Sequence, residues 1–171
     1  MKKLILATVL IIFLGSNAAS AQQADNRRLF SIGFETGLTV GDLNDHYGTL
    51  FGGSLRYEMP FGERLSGMLS AGYTSFIAKS EFKGISNGVI PIKVGGKYYL
   101  NGDFYGSAEL GAGFGTGDNS STSFIFAPGV GYAFPVADDK FIDLGLRYEG
   151  QSANNTTNSF IGLRLAFSFG K

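Results

Sequence analysis

From Leu29 onward, apolar and polar residues alternate in runs of about 9 to 13 positions, the period of a strand with one greasy face. The last run, Ser159–Phe169, shows it most clearly. Ile161, Leu163, Leu165, Phe167 and Phe169 point one way; Gly162, Arg164, Ala166 and Ser168 point the other. Seven earlier runs repeat the pattern: Leu29–Val40, Leu50–Met59, Leu65–Ile77, Gly88–Leu100, Phe104–Thr116, Phe124–Phe134 and Phe141–Glu149. Each is close to the roughly 9 to 11 residues that a tilted strand needs to cross a bilayer.

The connections alternate in length. Residues 41–49, 78–87, 117–123 and 150–158 form longer polar loops, and Pro60–Arg64, Asn101–Asp103 and Pro135–Lys140 form short turns. Long loops at one end and short turns at the other mark a transmembrane barrel. Asn101-Gly102 is a hairpin signal. The faces stay in phase if Leu100 opposes Phe104, which predicts a three-residue turn. Pro128, inside the sixth strand, predicts a bulge or a missing ladder bond. The eighth strand has an open edge unless it pairs with the first. The predicted fold is therefore an all-β, eight-stranded antiparallel up-and-down barrel.

Alternation alone leaves the outward face open, because a lipocalin-like barrel also alternates, with its apolar face inside. Volume decides. An eight-stranded barrel holds little more than its own side chains, and the apolar face here carries about a dozen Phe and Tyr. The opposite face is mostly Gly, Ser and Ala. Aromatics also gather near strand ends: Tyr57, Tyr98, Phe104, Tyr132, Phe134, Phe167 and Phe169 toward the turns; Phe51, Tyr73, Phe114, Phe124 and Tyr148 toward the loops. Such girdles belong at lipid interfaces, so the apolar face is predicted to meet lipid.

Ten charges then point inward. Glu35, Glu58, Glu109, Asp143 and Glu149 are acidic; Arg56, Lys93, Lys97, Arg147 and Arg164 are basic. A charge withdrawn from water is costly unless paired, so an interlocked set is expected. The hairpin register sets Glu109 opposite Gly95, diagonally beside Lys93 and Lys97. Closure brings Arg164 near Glu35. These charges read as a plug or as the lining of an ion path; rings of one sign, the mark of a selective pore, are missing.

Met1–Ala21 has a basic start, an apolar core and a small-residue cleavage site, the three parts of a signal peptide. Residues 22–28 read as a periplasmic lead-in and 29–171 as the barrel. Without the signal's Lys2 and Lys3 the chain carries 12 basic against 14 acidic side chains, which gives no support for nucleic-acid binding. Cysteine is absent, which excludes disulfides and thiolate metal sites.

Gly162-x-x-Leu165-x-Phe167, followed by Phe169, resembles the C-terminal insertion signal of bacterial outer-membrane barrels, although Gly170-Lys171 follow the final aromatic. With Asp143–Tyr148 and the glycine-rich Gly106–Gly115, residues 29–171 resemble the small OmpA/OmpX-like outer-membrane barrels, especially those of Bacteroidetes. The resemblance implies an outer-membrane location, contact with lipid and lipopolysaccharide, insertion by the barrel-assembly machinery and a monomer without a cofactor. It also implies a structural or surface-interaction role through the four loops rather than an enzyme. A narrow channel for ions or small solutes is the first alternative. An outer-leaflet lipid-modifying enzyme is the second: His46 lies beside Asp42 and Asp45, but no nucleophile motif surrounds them. Asp42, Asp45 and Asp118 lack a calcium-loop spacing. Gly111-x-Gly113-x-Gly115 lies in a strand with no helix after it, so it reads as relief of crowding rather than a phosphate loop.

Overall fold

The computed structural model describes residues 28–41, 47–78, 86–116, 121–154 and 156–170. They form β1 (Leu29–Val40), β2 (Tyr47–Pro60), β3 (Leu65–Ala78), β4 (Ser86–Asn101), β5 (Phe104–Gly115), β6 (Thr122–Ala137), β7 (Lys140–Ala153) and β8 (Thr156–Gly170). Each strand pairs antiparallel with the next, and β8 returns to β1, from Leu29↔Gly170 to Val40↔Ser159. Closure gives every strand a paired neighbour on both sides, which a bilayer demands because it offers no competing hydrogen bonds.

The barrel is inside out relative to a water-soluble protein. Phe34 and Leu38 are 58% and 63% exposed, whereas the ten lumen charges range from 1% exposed at Glu149 to 8% at Arg56. This removes the lipocalin-like alternative. Inside, large side chains lie over glycines. A Cβ on Gly33 would stand 2.7 Å from Arg164 Nε, one on Gly111 would stand 2.8 Å from Lys93 Cγ, and one on Gly131 would strike the Tyr105 ring. The lumen is filled because its small residues leave room for its long ones. On the lipid side, Phe61 covers Gly67 and Phe126 covers Gly150 in the same way.

Pairing runs further than the hydrophobic alternation does. β2 starts at Tyr47, and β7 and β8 continue to Ala153↔Thr156, so most of the predicted loop 150–158 is ladder. Asn154, at φ 49°, turns the chain. Residues such as Gln151 and Thr157 carry no apolar alternation, yet their backbones pair outside the lipid as well as any others. At the other end β6 runs to Ala137, and the turn shrinks from Pro135–Lys140 to Asp138-Asp139, where Asp139 adopts φ 60°. The β4–β5 hairpin turns at Gly102-Asp103, with Gly102 at φ 56°. A register shift between Tyr99 and Asn101 means that Leu100 does not oppose Phe104; Tyr99↔Tyr105 and Gly95↔Glu109 keep the predicted phase.

At Pro128 the ladder to β7 stops at Phe126↔Gly150 and resumes at Gly129↔Arg147 in the same register. The proline thus removes ladder pairs without a bulge, as expected of a residue with no N–H to donate. Met1–Ala21, His46, Asp42, Asp45 and Asp118 lie outside the described residues.

Leu146, 48% exposed on β7 beside buried Arg147, tests the sidedness. A cation on the lipid face costs about 2–4 kcal/mol near the midplane. Leu146→Arg should lose most of that in urea-refolding titrations into lipid vesicles. A variant as stable as wild type would place Leu146 away from acyl chains.

Candidate functional site: the charged lumen

The inner faces of β1, β2, β4, β5, β7 and β8 supply the ten charges, and the barrel brings all of them together. Arg56 on β2 meets Glu109 on β5 at 3.0 Å. Glu109 also lies 3.9 Å from Lys93, which reaches Glu149 at 2.8 Å. Glu149 binds Arg147 at 2.9 Å, and Arg147 binds Glu35 at 2.7 Å. Glu35 faces Arg164 at 3.6 Å, and Arg164 lies 3.7 Å from Asp143. Asp143 accepts from Lys97 at 3.2 Å, and Lys97 ends the sequence on Glu58 at 2.8 Å. Signs alternate at every step. The path starts at Arg56, crosses the lumen repeatedly and returns to Glu58, two positions along the same face of β2.

Neutral groups complete the shell. Ser54 donates to Glu35 at 2.6 Å and accepts from Arg164, which also donates to Ser31. Ser70 donates to Glu109 at 2.6 Å and Gln151 to Glu149 at 3.1 Å. Tyr99 donates to Glu58 and Tyr105 to Asp143, at 3.0 and 2.9 Å. Lys97 Nζ lies 4.1 Å from the Tyr105 ring centroid, a cation–π contact strengthened by burial. Buried ions persist where partners and hydrogen bonds together replace water. Among the described residues, Arg56 Nε and Arg147 Nη1 are buried without a hydrogen-bond partner.

The predicted proximity of Arg164 and Glu35 appears as direct cross-strand pairing. The predicted trio of Glu109, Lys93 and Lys97 needs correction. Glu109 takes Arg56 and Lys93, while Lys97 crosses to Glu58 and Asp143. Register fixes neighbours within a hairpin, but a lysine side chain is long enough to reach across so narrow a lumen. Gly111 and Gly113 lie in β5, Gly111 under Lys93 and Gly113 near Ile125 and Val89. On β8, Gly162 faces inward beneath Phe160, and Leu165, Phe167 and Phe169 face outward.

Two groups escaped the sequence reading. Tyr105 is 2% exposed inside the lumen, and its odd position on β5 was a usable signal. Leu50, Phe76 and Phe160 form a buried apolar cluster, with Tyr47 and Val89 packed against it. They share inward parity with Arg56, Thr74 and Arg164 on their strands, but apolar side chains look lipid-facing when read by type.

A closed eight-stranded barrel with an apolar outside and a charged inside is the architecture of a bacterial outer-membrane protein. A model of the family described as "Outer membrane protein beta-barrel domain" matches residues 9–169; the chain belongs to this family and resides in the outer membrane. Solved structures with the same fold include Ail from Yersinia pestis, at TM-score 0.57 and 19% identity over 84% of this chain and 99% of that one. Another is OprG from Pseudomonas aeruginosa, at TM-score 0.60 and 12% identity over 90% and 99%. A third is Neisserial surface protein A, at 0.57 and 16% over 84% and 95%. No protein of curated function matches the chain in sequence.

Glu109 anchors Arg56, which has no second carboxylate within salt-bridge distance among the described residues. Glu109→Ala should cost roughly 3–5 kcal/mol in urea titrations of the folded barrel, because it leaves a buried guanidinium unpaired. Adding Arg56→Met should recover part of the loss. A neutral Glu109→Ala would mean that water already carries the charge.

Proposed function

We propose that this protein is a non-conducting barrel that braces the envelope and presents the connections β1–β2, β3–β4 and β5–β6 and the tip of the β7–β8 hairpin to the surface. The observation that carries this reading is the unbroken alternation of the ten lumen charges. Every cation is held by at least one carboxylate, so a passing ion finds no row of free charge to follow. The barrel then acts as a monomer embedded in outer-membrane lipid and lipopolysaccharide, without enzymatic activity. Export uses Met1–Ala21. Insertion by the barrel-assembly machinery reads Gly162, Leu165, Phe167 and Phe169.

The unpartnered N–H groups of Arg56 and Arg147 favour a second reading, a narrow channel whose lumen water solvates them. Planar-bilayer recording separates the two. The first reading predicts no steady conductance from wild type in molar KCl, with only brief openings. Steady, ohmic conductance whose ion selectivity shifts in Glu109→Ala would overturn it and put the channel first.

A further inference from the structure

The salt-bridge chain accounts for the lumen's charges but not for the apolar layer above them. Leu50, Phe76 and Phe160 come from β2, β3 and β8, at the ends of those strands nearest the loops. Leu50 and Phe160 are both 0% exposed. Phe76 meets Phe160 edge-on at 6.0 Å and Tyr47 at 6.0 Å. Val89 extends the layer to β4. On the two strands flanking β5, a Cβ on Gly113 would stand 3.0 Å from both Val89 Cγ1 and Ile125 Cδ1, so both side chains border the space over that glycine. The layer thus joins β8, β2, β3 and β4, with Ile125 on β6 bordering it over Gly113 and the polar Gln151 on β7 paired with Ile125. It rests directly on the ion chain: the Arg147 guanidinium is 5.6 Å from the Phe160 ring, and that ring also lies over Gly162.

None of these apolar side chains faces lipid, and none hydrogen-bonds a lumen charge. Leu50, Phe76, Phe160, Val89 and Ile125 offer water no hydrogen bond where they crowd this narrow lumen, with buried Thr39 and Gln151 beside them, and an apolar constriction empties of water and blocks ions. We propose that this layer is a hydrophobic cap that closes the lumen at its loop end, and that Phe160 is the residue on which closure turns. The ion chain beneath it is then shielded from solutes outside the cell. The proposal rests on the non-conducting reading, and it adds a barrier at the loop end to the one that the paired charges form.

The chain has no cysteine, so a single engineered thiol reports access without background. Ser70, 3% exposed and bonded to Glu109 below the cap, is the reporter position. Ser70→Cys would be displayed in the outer membrane of intact cells and treated with a membrane-impermeant, cationic methanethiosulfonate. With the cap intact the thiol should stay essentially unlabelled. Adding Phe160→Ala should raise the labelling rate by at least about tenfold, since water and the reagent then enter the constriction. Leu50→Ser serves as a second opening variant should Phe160→Ala fail to fold, and a shift between unboiled and boiled samples on detergent gels verifies folding of each. Rapid labelling with the cap intact, or equal slow labelling in folded cap variants, overturns the cap. Steady wild-type conductance combined with cap-dependent labelling would instead retire the non-conducting reading and leave the cap in place as a leaky gate.

Discussion

The pairing of β8 with β1 is the contact on which the rest of this structure depends. A strand in lipid cannot leave its backbone groups unpaired, so a sheet with this much outward apolar surface must close. Closing eight strands leaves a lumen that side chains can fill. The same seam places Arg164 directly across from Glu35, and from that pair the salt bridges extend in both directions until they meet again on β2. Backbone closure and lumen chemistry are thus one constraint seen at two levels.

Alternation is what such a lumen allows. Five cations and five carboxylates share a space too small for bulk water, so each group must find its counter-charge among its neighbours. Glu149 takes Lys93, Arg147 and Gln151; Glu35 takes Arg147, Arg164 and Ser54. Groups with several partners hold the lumen in a single arrangement, because moving one side chain unpairs two others. Tyr105 and Tyr99 fill the remaining space near the turn end and donate to the carboxylates that flank Lys97. Glycines such as Gly33, Gly111 and Gly131 let these long chains lie flat against the wall.

The period-2 pattern made the barrel legible because lipid and lumen impose opposite chemistries on successive residues. β1 has the bounds that its alternation implies, and all ten charges face inward as their parity requires. What faded was the pattern beyond the lipid: Gly150–Ala153 pairs with Thr156–Ser159 despite the polar sequence, since a ladder needs only backbone groups. Partner choice across the lumen was also hidden, because parity gives a face but not the reach of a lysine. Hence Lys97 went to Asp143 and Glu58 rather than Glu109. The apolar layer of Leu50, Phe76 and Phe160 was hidden for the converse reason. Its residues look like lipid contacts, and only their position in the alternation says otherwise.

The central claim is that the lumen charges form one continuous alternating chain and not a set of independent pairs. Inverting Lys93 and Glu149 together tests it most directly. The Lys93→Glu, Glu149→Lys double variant keeps the attraction between positions 93 and 149, but it sets the new carboxylate against Glu109 and the new ammonium against Arg147. Urea-refolding stability in lipid vesicles is the measurement. A continuous chain predicts that the double variant stays well below wild type, recovering only part of what either single change loses. Full recovery of wild-type stability would mean that Lys93 and Glu149 act as an isolated pair, and the account of a single interlocked lumen would be wrong.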